Sequence, residues 1–307
     1  MQWQDEIRAA EARIAGHVVQ TPILRSTAFG RDIAFKLEQM QHTGSFKTRG
    51  AVNTLLASDV PGAGVVAASG GNHGAAVAFA ARQLGHRARI FVPEIAGPAK
   101  IGVIERTGAE LTVVPGEYAN ALELAEREAA ESGAMQIHAY DAPLTVVGQG
   151  TTLMEWEEQG LDADTVLIAV GGGGLIGGAL AWLGGRRKVV AVEPVTSCAL
   201  HTALDKGAPV DVPVSGVAAN ALGARRIGKI CFDLATSIGV ESVLVPDSAI
   251  IAAQQALWQA HRQLVEPAGA TALAALLSGA YVPEQSERVA VLVCGGNIAP
   301  EPEFGVL

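Results

Sequence analysis

The 307-residue sequence predicts an α/β fold of two doubly wound domains with mostly parallel sheets. Three observations carry this. Short apolar strands alternate with helical stretches almost throughout, the pattern of parallel strands covered by helices. Three of the strands run into glycine-rich turns, and in open α/β sheets ligands collect at such strand ends. The strand–helix series stops near Tyr140–Asp141–Ala142–Pro143 and restarts at Val147, which divides the chain in two.

Met1 to Gly16 alternates charged and apolar residues at helical spacing and lacks the apolar centre of a secretory signal, so it reads as an ordinary helix. The first series then gives strands Val65 to Ala68, Ala88 to Val92 and Glu110 to Val114, with helices Gly74 to Leu84, Ala99 to Thr107 and Tyr118 to Ser132. The second gives strands Thr165 to Val170, Lys188 to Glu193, Glu241 to Val245 and Arg288 to Cys294. Its helices are Leu175 to Leu183, Asp247 to Leu264 and Gly269 to Ser278. Val166 to Gly185 contains no charged residue and has the length of a membrane span. Eight of those residues are glycine, each costing about 1 kcal/mol in a helix, so strand, glycine loop and a new helix are expected there instead.

With 49% hydrophobic residues the chain can bury a sizeable core without staples. Twenty-two basic against thirty-one acidic residues give a net charge of -9, and no basic cluster exceeds Arg186–Arg187–Lys188, which argues against nucleic acid as a partner. Cys198, Cys231 and Cys294 form no CxxC, and no HExxH occurs, so a reducing, cytoplasmic setting without structural zinc is expected.

Thr43–Gly44–Ser45–Phe46–Lys47–Thr48–Arg49–Gly50 sets one lysine among small residues rather than on a charged face. Burial there would favour the neutral amine that Schiff-base chemistry needs, although two surface cations in a turn fit the spacing equally well. Gly171–Gly172–Gly173–Gly174 between a strand and a helix offers backbone amides to a phosphate. The same loop fits GxGxxG at Gly172, Gly174 and Gly177, with Glu193 ending the next strand where a dinucleotide fold puts its ribose-binding acid. An NAD(P)-binding oxidoreductase is therefore a competing reading. Ser69–Gly70–Gly71–Asn72–His73–Gly74 repeats the device, with Asn72 or Ser69 as helix cap, and suits a carboxylate. Cys294–Gly295–Gly296–Asn297 ends a third strand.

With these four motifs in order from about Thr21 to Gly296, the chain resembles the tryptophan-synthase-β type of pyridoxal-phosphate enzymes, fold type II, and within them the serine/threonine dehydratases. The resemblance implies a large cofactor-binding domain of residues 1–50 and 144–307, a small domain of residues 51–143, and a cofactor in the cleft between them. It implies that Lys47 holds pyridoxal 5′-phosphate as an imine, that Phe46 packs on its ring and that Asn72 bonds its 3′-oxygen. Gly171 to Gly174 would hold the phosphate, and Cys294 would face the pyridine nitrogen, as in the serine dehydratase-like subgroup. Ser69, Gly71, Asn72 and His73 would bind the substrate carboxylate, with Gly216 and Ala218 shaping the side-chain pocket and Glu266 near the cofactor. The implied activity is dehydration and deamination of L-threonine or L-serine by a homodimer.

Two departures qualify this. Racemases of the group carry a second acid–base serine where this chain has Gly70, which favours elimination over racemisation. Relatives also bind a divalent cation through a glutamate and an aspartate six residues later; here Glu193 is followed by Ala199. One hard ligand is missing, which leaves potassium on Glu193 and backbone carbonyls, or a plain strand-end acid bonded to nearby amides. The short segment after the Cys294 turn gives no sign of the regulatory domain appended to biosynthetic threonine dehydratases.

Overall fold

The computed structural model describes residues 2–96, 98–116 and 118–298; the segment in which a regulatory domain would begin lies outside the described residues. In chain order the strands are β1 (Ile23–Ser26), β2 (Ile33–Leu37), β3 (Val65–Ala68), β4 (Ala88–Pro93), β5 (Glu110–Val114), β6 (Met135–Gln136), β7 (Thr165–Ala169), β8 (Lys188–Pro194), β9 (Glu241–Val245) and β10 (Val289–Val293). The helices are α1 (Trp3–Ile14), α2 (Lys47–Leu56), α3 (Asn72–Gln83), α4 (Pro98–Glu105), α5 (Tyr118–Ser132), α6 (Pro143–Glu158), α7 (Gly174–Leu183), α8 (Ala199–Lys206), α9 (Ala219–Leu222), α10 (Lys229–Ile238), α11 (Asp247–His261) and α12 (Pro267–Ser278).

The strands form two sheets, one ordered β1-β2-β10-β7-β8-β9 and one ordered β5-β4-β3-β6. Only the β1–β2 pair is antiparallel, so the expected α/β class with mostly parallel sheets holds. All residues of β7 and β10 are buried, as their unbroken apolar runs require of strands covered on both faces. The run from Val166 to Gly185 divides into β7, the glycine loop and α7, as its glycines predict, and among the described residues no helix is long and apolar enough to cross a membrane.

Strand order positions the site. The last strand, β10, inserts between β2 and β7, so the carboxyl ends of β7 and β10 lie side by side. Ser45 then bridges to Gly295, the Phe46 amide donates to the Cys294 carbonyl at 3.3 Å, and the Gly296 amide to the Gly44 carbonyl at 2.9 Å. This clip fixes the start of α2, whose first residue is Lys47, beside the Cys294 turn. Behind it α2 packs on α6 at a glycine crossing: a Cβ on Gly148 would lie 2.7 Å from the Gly50 Cα.

Several elements escape the sequence patterns. β1 and β2 are short, and β2 buries Lys36 completely, which breaks its apolar run. α6 carries two glycines and several β-branched residues, poor helix formers that packing on α2 and α7 overrides. Nor is the second device capped as expected. Gly71 occupies the cap position of α3 with no side-chain cap bond, while the Ser69 hydroxyl accepts from the Gly71 amide at 3.2 Å and Asn72 reaches across to other elements.

Candidate active site

A cleft is lined by Phe46, Lys47, Asn72, Val170 to Ile176, Leu222, Glu266 and Cys294, among others. The lysine run, the α3 loop, the tetraglycine loop and the Cys294 turn, far apart in sequence, thus meet at one place. The Lys47 side-chain nitrogen Nζ donates to the Ala139 carbonyl at 2.7 Å and stands 5.3 Å from the centre of the Phe46 ring. Burial lowers its pKa to about 8 against the opposing pull of Cys294 and Glu266. Lys47 is therefore a half-buried group facing the cleft, shifted toward the amine, rather than a surface cation in a turn.

The tetraglycine loop is built for close approach. Gly173 adopts φ +94°, a left-handed conformation that glycine reaches without strain, and opens the first turn of the fully buried helix α7. A Cβ on Gly172 would lie 2.3 Å from the Tyr140 ring, and one on Gly173 would lie 2.5 Å from the Cys231 Cβ. Side chains of α10 and of the Tyr140 segment back the loop, while its other face opens to the cleft. An anion is favoured there by the free amides and by the helix dipole.

Cys294 is buried, and desolvation drives its thiol well above the ordinary range, so it is neutral. Its Sγ directs its proton to the Ala268 carbonyl at 3.3 Å. Asn72 donates from Nδ2 to Glu266 at 2.5 Å and accepts at Oδ1 from Asn297 at 2.8 Å. His73 is buried and its Nε2 pairs with the Ile137 carbonyl at 2.9 Å; burial, with Lys47 nearby, drops its pKa to about 3. Its ring is therefore neutral.

Other predicted residues lie outside the lining. Ser69, Gly71 and His73 flank Asn72 on the same loop. Gly216, at φ +87° and exposed, and Ala218, buried, lead into α9, which supplies Ala221 and Leu222 to the cleft. Glu193 is fully buried, and its two oxygens accept from the Leu200 and His201 amides at 2.9 and 2.7 Å in the first turn of α8. Desolvation raises its pKa to about 7 against those two bonds. Fully buried and turned onto α8, it is not among the residues that line the cleft, which removes the acid that a dinucleotide reading requires. Among the described residues no three His, Cys, Asp or Glu gather to hold a metal ion. The Ala139 carbonyl, Tyr140 and Cys231 carry no sequence signal for their roles, since each acts through backbone or shape.

The sequence profile of the family described as "Pyridoxal-phosphate dependent enzyme" matches residues 14–295. An L-threonine ammonia-lyase of Geobacter sulfurreducens is 35% identical over 301 residues, covering 95% of this chain and 75% of that protein. A phenylserine dehydratase of Ralstonia pickettii is 35% identical over 300 residues, covering 95% and 92%. Among solved structures, maize serine racemase superposes with a TM-score of 0.91 at 31% identity, covering 96% of this chain and 93% of that one.

Proposed function

This chain belongs to the pyridoxal-phosphate dependent enzymes, and from that premise we propose that it is an ammonia-lyase converting a β-hydroxy amino acid, L-threonine or L-serine, to a 2-oxo acid and ammonia. The observation that carries this reading is the neutral-prone Lys47 facing a glycine phosphate cradle and a neutral thiol in one cleft.

The residues fit the cofactor. Lys47 would hold it, Gly171 to Gly174 would take its phosphate, Phe46 would pack on its ring, Asn72 would meet its 3′-oxygen and Cys294 its pyridine nitrogen. Bound there, it supplies an electron-withdrawing ring that makes the substrate α-proton acidic. A thiol that is neutral and gives its proton to Ala268 does not protonate a pyridine, so the ring stays a modest electron sink and prompt loss of the β-hydroxyl is favoured. The α3 loop from Ser69 to His73 would bind the substrate carboxylate, and the Gly216–Ala218 segment would shape the side-chain pocket. Freed when the substrate amine takes its place, neutral Lys47 would take the α-proton at Nζ; that proton, passed on to the β-hydroxyl, would let it leave as water, and the released enamine would tautomerise and take up water to give the 2-oxo acid and ammonia.

Racemisation needs a second acid–base group on the opposite face. Gly70 carries none, and a Cβ built on it would lie 2.4 Å from the Ala96 Cβ, so the position is filled. The two sheets are read as the two lobes, residues 1–50 with 144–307 and residues 51–143. A cytoplasmic homodimer without nucleic-acid or membrane partners completes the reading, supported by the net charge of -9 and by the resemblance. The test is the visible spectrum of the loaded protein as L-serine, L-threonine and then phenylserine are added, with 2-oxo acid followed in parallel. A responding yellow band with 2-oxo acid is expected, and a Lys47→Ala variant with ordinary turnover would sink the assignment.

A further inference from the structure

Asn72 is gripped from two sides by the larger sheet's elements. Its Oδ1 accepts from Asn297 Nδ2 at 2.8 Å, and the same Asn297 nitrogen donates to the Thr43 carbonyl at 2.7 Å. A backbone carbonyl can only accept, so the nitrogen end of Asn297 must face Thr43 and Asn72 together. The oxygen of Asn72 must then face Asn297, and its nitrogen must face the other way, toward Glu266 Oε1 at 2.5 Å. One obligate acceptor therefore sets the polarity of two amides in series, independent of how amide oxygens and nitrogens are assigned. The second proton on Asn72 Nδ2 has no protein acceptor among the described residues, and Asn72 lines the cleft.

The backbone makes room for this chain of bonds at three points. Thr43 takes the left-handed region at φ +60°, rare for a residue that is not glycine, in the turn that presents its carbonyl. A Cβ on Gly44 would lie 2.5 Å from Asn297 Oδ1, and one on Gly295 would lie 2.1 Å from Glu266 Oε1.

We propose that Asn297 and Glu266 are positioning residues that lock the Asn72 amide with its donor end toward the cleft, so that Asn72 meets a cofactor oxygen as a hydrogen-bond donor and never as an acceptor. The inference rests on the cofactor assignment above and adds the device that fixes the sign of that contact.

An Asn297→Asp substitution keeps the shape but removes the donor: the new carboxylate repels Asn72 Oδ1, draws the Asn72 nitrogen to itself and so inverts the amide. Adding Glu266→Gln places a side-chain amide that can donate to the inverted Asn72 oxygen, closing a consistent but reversed network. Three quantities are read on the protein stripped of and titrated with pyridoxal phosphate: the cofactor Kd, the ratio of long- to short-wavelength absorbance of the bound cofactor, and the thermal midpoint. In N297D a Kd raised about tenfold, an altered ratio and a lowered midpoint are expected. In N297D/E266Q the midpoint recovers while Kd and ratio stay altered. An unchanged Kd and ratio in N297D, or recovery of all three in the double variant, overturns the proposal and leaves the cofactor assignment standing. Wild-type protein that binds no pyridoxal phosphate overturns both. Should N297D fail to fold, the double variant alone decides.

Discussion

Arg49 lies two residues past Lys47 on α2 and is 1% exposed. Its guanidinium grips Glu38 through Nε at 2.9 Å and a terminal nitrogen at 2.8 Å, and reaches Glu155 at 2.9 Å. Lys36, fully buried, completes the network on Glu155 at 2.5 Å. Arg49→Met removes one positive charge of two and strands Glu38, itself fully buried. Breaking a buried pair on one side costs about 3–5 kcal/mol, because an uncompensated charge stays behind. At about 2 °C per kcal/mol for a chain of this size, the thermal midpoint should fall by roughly 6–10 °C at neutral pH. The pH dependence follows with a definite sign. Burial alone raises the Glu38 pKa, but Arg49, then Thr21 and Lys36, more than reverse this and hold it below its ordinary value. A group so depressed contributes stability above its unfolded pKa and loses it as pH falls through the folded value. In the variant burial prevails, so Glu38 penalises the folded state at neutral pH and ceases to do so once protonated. The gap between wild type and variant should therefore narrow as pH is lowered through the carboxylate range, measured by thermal denaturation at several pH values. A drop under about 2 °C at pH 7, well short of the estimate above, or a gap that does not narrow, refutes the reasoning.

Gly172→Ala should weaken pyridoxal phosphate binding by about tenfold or more, since the new methyl meets the Tyr140 ring at 2.3 Å; adding Tyr140→Ala should recover much of the loss in thermal stability. Because the Lys47 pKa is lowered from 10.5 to about 8, the rate at which stripped protein takes up pyridoxal phosphate should rise with pH and level off above about 8; a rise continuing to pH 10 would mean an ordinary lysine. Gly70→Ser should lower the thermal midpoint and give no racemisation, because its Cβ meets Ala96 at 2.4 Å, whereas Gly70→Ser with Ala96→Gly should recover the midpoint. Exhaustive dialysis against chelator, with potassium exchanged for sodium, should change turnover only modestly, as Glu193 already satisfies both oxygens on α8 amides; complete loss restored by one cation would place that cation at Glu193.

The fold was legible wherever burial on both faces left an unbroken apolar run, as in β3, β7 and β10, and wherever glycine broke a run that composition alone would have made a span. It was illegible where charge is buried in pairs. β2 carries Lys36 inward, and the partners that make this tolerable, Glu155 in the last turn of α6 and Gln159 just past its end, come more than a hundred residues later. The reactive loops were readable because each needs residue types that few other structures need. Their closing contacts were not: the Ala139 carbonyl on Lys47 is a backbone group, and the Asn297–Asn72–Glu266 series emerges only when β10 is inserted between β2 and β7.

Charge is segregated across a short distance in this site. Lys36, Glu38, Arg49 and Glu155 form a fully paired ionic layer behind the start of α2, where nothing reacts. The layer beside it lines and flanks the cleft and, apart from Glu266, whose carboxylate accepts from Asn72, holds groups whose charged forms burial disfavours: the Cys294 thiol, the His73 ring with its pKa near 3, and Lys47, lowered to about 8. The two layers depend on each other. Ion pairs satisfied at both ends hold α2 rigidly without lending a field that would protonate Lys47, and Arg49 commits its charge to two carboxylates rather than to the cleft. Under the proposed assignment a proton lifted from substrate would meet Lys47 as its base, while the Cys294 thiol, its proton directed to Ala268, would leave the pyridine nitrogen unprotonated. On that reading one base on one face, with Gly70 offering none on the other, favours elimination over racemisation.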